Sequence, residues 1–246
     1  MPYRDKDHKI KIVLYQGRLG TGVPFADLRN IIEYKPHFTV FPEYFWIRKG
    51  AIDFITAAKG YKSAMEEMTV ISKKLPGYLI GGTLIEADNG RFFNTCHILR
   101  DGSVIGKYRK INLFGRERDV LTPGDGFMVF NLFGINCGVI ICADALQQSS
   151  FIEMRRLKAQ LIFAPTFSQP NRDDTPEKKL ERDKNIYLKG AEVSGATVLK
   201  CCSVGELFGR KANGRSLACS RKEFIYRIDD DSEIKTKIIK IELEDL

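Results

Sequence analysis

Cys142 closes the apolar run Cys137-Gly138-Val139-Ile140-Ile141 and is followed by the small residue Ala143. A thiol at the carboxyl end of a buried strand faces the kind of cleft that forms where strands stop and the chain turns. Free cysteine is also among the most buried and inert residue types, so this thiol needs an activating partner to count as a nucleophile. Histidine is the usual partner. Here His8 lies in a charged terminus, His37 follows a proline and His97 sits mid-strand in a hairpin. Two other groups stand at strand ends. Glu43 follows Phe38-Thr39-Val40-Phe41-Pro42 and precedes Tyr44, Phe45 and Trp46. Desolvation by such aromatics raises a carboxyl pKa toward what a general base near neutrality requires. Lys110 follows the strand-like Gly106-Lys107-Tyr108-Arg109 and precedes the apolar pair Leu113-Phe114, although a surface lysine in a basic cluster is the plain alternative.

These residues need strands to carry them. Residues 9–16 alternate and then run apolar, as a strand entering a core does, and 37–41 form a second buried strand. Residues 26–33 and 52–74 have helical spacing, the latter stopped by Pro76-Gly77. Strands are expected over 78–87 and 91–100, joined by Asp88-Asn89-Gly90, a strong hairpin signal. Asp101-Gly102 turns the chain into a strand over 103–108, and 127–132 pairs with 135–141 around Gly134. A helix over 150–158, a strand over 160–164 and a helix over 176–193, opened by Thr175-Pro176-Glu177, come next. Strands over 196–203, 216–220, 224–228 and 234–241 complete the chain. Helices between strands at both ends, with hairpins in the middle, imply mixed sheets covered by helices, an α/β fold in a single domain over residues 1–246.

Composition narrows the function classes. With 246 residues, 43% hydrophobic and 28% charged, the chain has an ordinary globular balance and needs no disulfide or metal staple. Its six cysteines include an adjacent pair and no Cys-x-x-Cys, so reduced thiols in a cytoplasmic protein are expected. The three histidines lie far from any paired cysteines, which leaves no zinc site. The N-terminal residues are charged where a signal peptide needs an apolar core, and no apolar run approaches the roughly 20 residues that span a bilayer. A net charge of +8 raises the question of nucleic acid, but the basic residues alternate with acids, as in Glu177-Lys178-Lys179-Leu180-Glu181-Arg182-Asp183. That is a solvated helix face, not a phosphate-tracking stripe. Attraction of anionic substrates is a milder consequence. Gly17-Arg18-Leu19-Gly20-Thr21-Gly22 follows a strand but has neither a dinucleotide nor a Walker register.

Taken together, Val40-Phe41-Pro42-Glu43, Tyr108-Arg109-Lys110-Ile111-Asn112-Leu113-Phe114 with Arg116-Glu117, and Gly138-Val139-Ile140-Ile141-Cys142-Ala143-Asp144 resemble the carbon–nitrogen hydrolase (nitrilase) superfamily, its amidase-like branch in particular. Their order matches that family's Glu–Lys–Cys triad. Gln16, Asn94-Thr95, Thr122-Pro123-Gly124 and Ala164-Pro165-Thr166 are weaker echoes. The resemblance implies a four-layer αββα sandwich of two mixed sheets covered by helices, often assembled into homodimers or higher homo-oligomers. It also implies a small-molecule amide substrate, no membrane partner, and no metal or organic cofactor. By the same resemblance Glu43, Lys110 and Cys142 are catalytic. Glu117 positions Lys110 or the substrate, and the Ala143 N–H helps hold an oxyanion. Tyr44, Asp144, Thr166 and Phe167 stand as supporting or substrate-binding residues, with specificity set by loops near Tyr44, Gln147 and Phe167.

Some positions depart from the family pattern. Ala143 stands where amidases usually carry an aromatic residue, and Leu146-Gln147-Gln148-Ser149 replaces a Pro-Glu. The segment from Gly190 to Lys200 lacks a Glu-Asn pair, and Ser220-Arg221-Lys222-Glu223 replaces a Pro-x-Gly turn. Nitrile hydrolysis, or a non-catalytic protein that keeps the fold, are the alternative readings; Asp144 favours the amidase branches over nitrilases proper. Alkylation of the native protein is expected to concentrate on Cys142, followed by peptide mass mapping. Equal or faster labelling of Cys201 or Cys202 would point to a different nucleophile.

Overall fold

Apolar runs such as residues 12–15 put large side chains on both faces of a strand, so each sheet has to be covered twice. The computed structural model describes residues 9–244; the charged residues 1–8, His8 among them, lie outside the described part. Strand β1 (Lys9–Gln16) leads through helix α1 (Phe25–Tyr34) to β2 (Phe38–Val40). Helices α2 (Phe54–Lys59) and α3 (Tyr61–Lys74) precede β3 (Tyr78–Ile80), β4 (Leu84–Asp88), β5 (Arg91–Arg100) and β6 (Ser103–Arg109). Helix α4 (Glu117–Val120) opens the second half, with β7 (Val129–Leu132) and β8 (Ile135–Val139). A 3-10 turn (Cys142–Leu146), helix α5 (Gln148–Arg156) and β9 (Leu161–Thr166) follow. Helix α6 (Pro176–Asp183) passes through a π-helical turn (Lys184–Leu188) into α7 (Lys189–Ser194) and then β10 (Thr197–Cys202). The last strands are β11 (Gly205–Leu207), β12 (Arg210–Ala212), β13 (Leu217–Cys219), β14 (Phe224–Arg227) and β15 (Lys237–Glu244).

One sheet has the order β15-β1-β2-β3-β5-β4, with β6 also paired to β5; the other has the order β14-β13-β10-β9-β8-β7. Both are mixed. Strands β1, β2 and β3 run parallel, as do β8, β9 and β10, while β15, β5, β13 and β7 join antiparallel. Alternation along each central strand assigns the layers. Ile12, Leu14, Phe38 and Val40 point inward and meet Cys137, Val139, Leu161, Phe163 and Leu199 of the second sheet. Val13 and Tyr15 turn outward onto α1 and α3, among Leu28, Ile31, Met68 and Ile71. Ile140, Ile162 and Val198 turn the other way, onto Phe151, Met154 and Ala191 of α5 and α7. Fully burying each such side chain contributes about 1.5–3 kcal/mol. The product is the four-layer αββα sandwich expected from the resemblance. Among the described residues, no helix is long and apolar enough to cross a membrane.

The structure departs from the sequence expectations where local chemistry overrides apolar spacing. The helix expected over 52–74 is two helices meeting at Gly60, the first opened by Asp53, whose carboxylate accepts the Thr56 N–H at 2.7 Å. The helix expected over 176–193 carries a π-helical turn that spacing alone does not reveal. Hairpin β11–β12, a three-residue pairing on each side, escaped the pattern because its strands are too short to show alternation. The strand expected over 78–87 breaks after Ile80, where Gly82 adopts a φ of +65°. A side chain on Gly82 would collide with the Pro42 carbonyl oxygen, and the adjacent Thr83 hydroxyl accepts the Tyr44 N–H at 3.0 Å. The break thus lets two segments close around Glu43. Gly82→Ala should therefore lower unfolding free energy by about 1–3 kcal/mol in urea titration. Gly126→Ala, with open space at its Cβ, should stay within about 0.5 kcal/mol.

Candidate active site

The loops after β2, β6, β8 and β9 meet at one cluster. Lys110, one residue past β6, is 2% exposed and its Nζ lies 2.9 Å from Glu43 Oε1 and 2.7 Å from Glu117 Oε2. Other donors also reach the two carboxylates. Phe167, just after β9, donates its N–H to Glu43 Oε2 at 2.9 Å, and the Phe114 N–H reaches Glu117 Oε2 at 2.8 Å. Asn94 Nδ2, from the middle of β5, lies 2.9 Å from Glu43 Oε1, 2.8 Å from Glu117 Oε1 and 3.1 Å from the Tyr44 hydroxyl. Tyr44 in turn donates its hydroxyl to Glu117. Cys142 stands beside Glu43, and its thiol is directed to the Phe167 carbonyl oxygen with Sγ 3.7 Å away.

Two of these positions hold a backbone that L-residues rarely adopt. Tyr44 has a φ of +61° and Cys142 one of +45°. Such conformations cost of order 1–3 kcal/mol and persist when surrounding bonds over-determine them. At Cys142 the determining group is Asp144. Its carboxylate accepts the Ile141 N–H at 2.9 Å, the Tyr108 hydroxyl at 2.8 Å and the Asn112 N–H at 2.7 Å. One buried side chain thereby fastens the turn that carries Cys142 to the segment that carries Lys110.

Electrostatics follow from one ammonium between two carboxylates. Burial raises the Glu43 carboxyl above the ordinary carboxylate range; the Lys110 charge opposes this and Glu117 reinforces it. Burial works against the charge on Lys110, yet Glu43 and its other anionic neighbours hold its pKa above the usual lysine value. Burial likewise pushes the Cys142 thiol well up, with Glu43 adding to the effect and Lys110 reducing it. Ionisation of Cys142 to solvent would place a further uncompensated negative charge in this pocket. Transfer of its proton to Glu43 leaves the net charge unchanged, so geometry and charge both favour that route.

A cleft of about 170 Å³ opens over Glu43, Lys110, Glu117 and Cys142. Tyr44, Phe54, Phe167 and Phe208 form aromatic walls, and Arg116 and Arg210 line it as well. Of the sequence candidates, Glu43, Lys110, Cys142, Glu117, Tyr44 and Phe167 meet here. Three supporting candidates have other surroundings. Asp144 is fully buried and its oxygens are taken up by the bonds just described. Thr166 is buried and donates its hydroxyl to the Ala164 carbonyl at 2.9 Å. Ala143 and Gln147 border a neighbouring depression with Ile111 and Leu113. The Ala143 N–H nonetheless occupies the first turn of a 3-10 segment, where amide groups lack intrahelical partners. The two described histidines take no part: His37 Nδ1 accepts the Lys11 N–H, and His97 pairs with the Tyr61 hydroxyl. No metal-type cluster of histidine, cysteine and carboxylate exists among the described residues. In the sequence Asn94 stands only as a weak family echo and is not placed in the cluster, because it lies mid-strand in β5 and not at a strand end. Sequence reasoning also missed Arg116 and the hairpin residues Phe208 and Arg210.

This layering is shared with solved structures. A variant of the amidase from Nesterenkonia sp. AN1, carrying the acetamide moiety of fluoroacetamide covalently at its active site cysteine, superposes with a TM-score of 0.80 at 17% identity, over 97% of this chain and 91% of that one. Residues 28–222 match the carbon-nitrogen hydrolase family, and the chain belongs to it. Omega-amidase NIT2-B of Xenopus laevis is 39% identical over 89 residues, 32% of this chain and 32% of the relative. A nitrilase of Pyrococcus abyssi is 31% identical over 169 residues, 68% of this chain and 60% of the relative. The chain thus aligns with about a third of the omega-amidase and less than two thirds of the nitrilase.

Removing the fastening carboxylate tests the site's construction. Asp144→Ala strands four donors, the buried Ile141 N–H and Tyr108 hydroxyl and the half-buried Asn112 N–H and side-chain amide, and should cost about 2–4 kcal/mol in urea unfolding. Asp144→Asn, which keeps one acceptor oxygen, should lose clearly less.

Proposed function

We propose that the protein hydrolyses the amide of a small molecule through a thioester on Cys142, releasing ammonia or an amine. The observation that carries this reading is the meeting of Glu43, Lys110 and Cys142 on the floor of one cleft, with Lys110 between two carboxylates. The similarity to amidases supports it.

Cys142 Sγ attacks the carbonyl carbon as its proton passes to Glu43. The negative charge that develops on the carbonyl oxygen is met by Lys110 Nζ and the Ala143 N–H; one such donor is worth about 3–4 kcal/mol in the transition state. Collapse of the tetrahedral adduct breaks the C–N bond, and the departing nitrogen takes the proton from Glu43. Water then attacks the thioester and gives a proton to Glu43, which returns it to the leaving thiolate. Asn94 and the Phe167 N–H hold the Glu43 carboxylate in one orientation through both halves of the cycle. Every proton passes through residues of this cluster, so the scheme needs no histidine.

Ammonia release from a panel of amides and nitriles tests the reading. Cys142→Ser, nearly isosteric, should keep stability within about 1 kcal/mol and lose all but a few per cent of turnover, because an unactivated hydroxyl is a far poorer nucleophile. Glu43→Gln should block turnover while leaving the fold intact. Because the working base is the ionised Glu43 carboxylate, and burial raises its pKa, kcat/KM should fall on the acid side at a pH above the ordinary carboxylate range. Substantial turnover by Cys142→Ser would exclude the covalent route. Release of ammonia from nitriles alone would move the substrate class to nitriles. A folded protein that turns over nothing in the panel, and whose Cys142 resists fluoroacetamide, would be non-catalytic.

A further inference from the structure

The Gly-rich run over residues 17–22 has no dinucleotide or Walker register, and the chemistry above makes no use of it. The structure gives it a place. The Val204 N–H bonds the Gly17 carbonyl and the Leu19 N–H bonds the Val204 carbonyl, both at 3.0 Å. The loop is thereby tied to the root of hairpin β11–β12. Gly20 has a φ of +68°, and a Cβ there would lie 2.8 Å from Lys49 Cγ, so this glycine admits the segment between β2 and α2. The three segments enclose a second cleft of about 910 Å³, within the size range of organic ligand sites.

Its lining is amphipathic. Leu19, Leu207 and Ala212 form a buried floor, while Ile52 and Ile234, 76% and 67% exposed, stand at its edge. Around them are Arg18, Lys49 and Lys211, one cation from each segment, against the single carboxylate of Glu206. None of the three cations has an ion-pair partner among the described residues. Arg48, next in the chain to Lys49, does pair, with Glu67. Glu206 stands opposite Lys211 in the hairpin register and offsets that one charge only.

The hairpin separates this cleft from the one over Cys142. Alternation along β12 sends Arg210 to the catalytic cleft and Lys211 to the second. Ile52, Leu207 and Phe208 line both. The turn Phe208-Gly209 has φ values of +51° and +72°, the two positive values of a tight hairpin turn whose first residue is usually Asn, Asp or Gly. Phenylalanine is a costly choice there, and it puts an aromatic ring in the partition. That ring packs on Phe54 at 5.1 Å between centroids and Phe54 on Tyr44 at 5.9 Å, and Tyr44 donates its hydroxyl to Glu117.

We propose that the second cleft is a regulatory site for an organic polyphosphate, a phosphate chain joined to an apolar or aromatic body, and that its occupancy acts on the catalytic cleft through the shared wall. Only the effect on turnover rests on the hydrolase reading above. Cations from three segments suit successive phosphate groups, and the apolar floor and edge suit the body. The chain's net charge of +8 adds long-range attraction for such a ligand. A ligand here packs on the outer side of Phe208 and favours the turn that walls the catalytic cleft. It therefore acts on substrate binding, while the reacting cluster, fastened by its own bonds, keeps its rate.

The test separates binding from turnover. Calorimetry on the Cys142→Ser protein, without added magnesium, should detect ATP binding that weakens with salt and that Arg18→Gln, Lys49→Gln and Lys211→Gln each reduce by about tenfold. Arg116→Gln and Arg210→Gln, in the other cleft, should leave it unchanged. Tripolyphosphate should bind more weakly than ATP despite its greater charge, and adenosine should not bind. In the unsubstituted protein, ATP should lower KM for an amide that the protein turns over by about fivefold with little change in kcat. Lys49→Gln combined with Lys211→Gln should remove that effect. ATP should also change the rate at which iodoacetamide alkylates Cys142, a readout that needs no turnover. Circular dichroism of each variant verifies the fold. ATP binding that is absent, indifferent to the three cations, or dependent on Arg116 and Arg210 instead overturns the proposal. An oligouridylate bound more tightly than ATP through the same cations overturns the small-molecule ligand in favour of nucleic acid. Cation-dependent ATP binding that leaves both KM and alkylation unchanged overturns the regulation. Such binding with altered alkylation, in a protein that hydrolyses no amide, supports the site and removes the hydrolase reading.

Discussion

A lysine ammonium buried between two carboxylates is the constraint on which the rest of this structure depends. Removing such charges from water costs several kcal/mol per ion unless hydrogen bonds replace the lost solvent. The Lys110 cluster meets that requirement with donors from separate parts of the chain: Asn94 from β5, the Phe114 N–H from the loop after β6, the Phe167 N–H from the end of β9, and the Tyr44 hydroxyl from the loop after β2. No local segment could supply them all. Both sheets must therefore end their strands at the same place, which is what the αββα packing of Ile12, Val40, Val139 and Phe163 achieves.

The same constraint favours the protonated form of the Cys142 thiol. Three negative charges around one ammonium would be worse than two, and burial together with Glu43 holds the thiol's pKa well above the ordinary cysteine value. The backbone geometries at Tyr44 and Cys142 belong to this arrangement: the Tyr44 hydroxyl bonds Glu117, and Cys142 stands beside Glu43. Asp144 and Thr83 hold those turns through bonds to backbone N–H groups. Stability is in effect lent to the site by groups that never meet a substrate.

Much of this was legible in the sequence. Strand-end placement drew attention to Cys142, Glu43 and Lys110, and turn chemistry located the hairpins at Asn89-Gly90 and Asp101-Gly102, whose residues all have positive φ. What stayed hidden depends on contacts distant along the chain. The resemblance placed Asp144 among the supporting or substrate-binding residues, but its bonds to Tyr108 and Asn112, more than thirty residues earlier, show only in the structure. The break at Gly82 is required by Pro42, not by anything within its own strand. Hairpin β11–β12 is too short to register as a pattern, yet it brings Phe208 and Arg210 to the cleft.

Charge clusters in this fold divide by what surrounds them. Around Asp183, the cations Lys200, Arg215 and Arg227 converge on one buried carboxylate, with Glu233 facing Arg215; attraction to these cations holds Asp183 below the usual carboxylate range despite its burial. No cleft among those described includes Asp183 among its lining, so that network acts on the packing of α6 against β10 and β14. The Lys110 cluster is also internally paired, but it borders open space and carries two carboxylates to one ammonium. Arg116 and Arg210 border the same space, and neither side chain has an ion-pair partner among the described residues. The three arrangements use the same residue types. Access to solvent and the sign of the uncompensated charge are what distinguish the three arrangements.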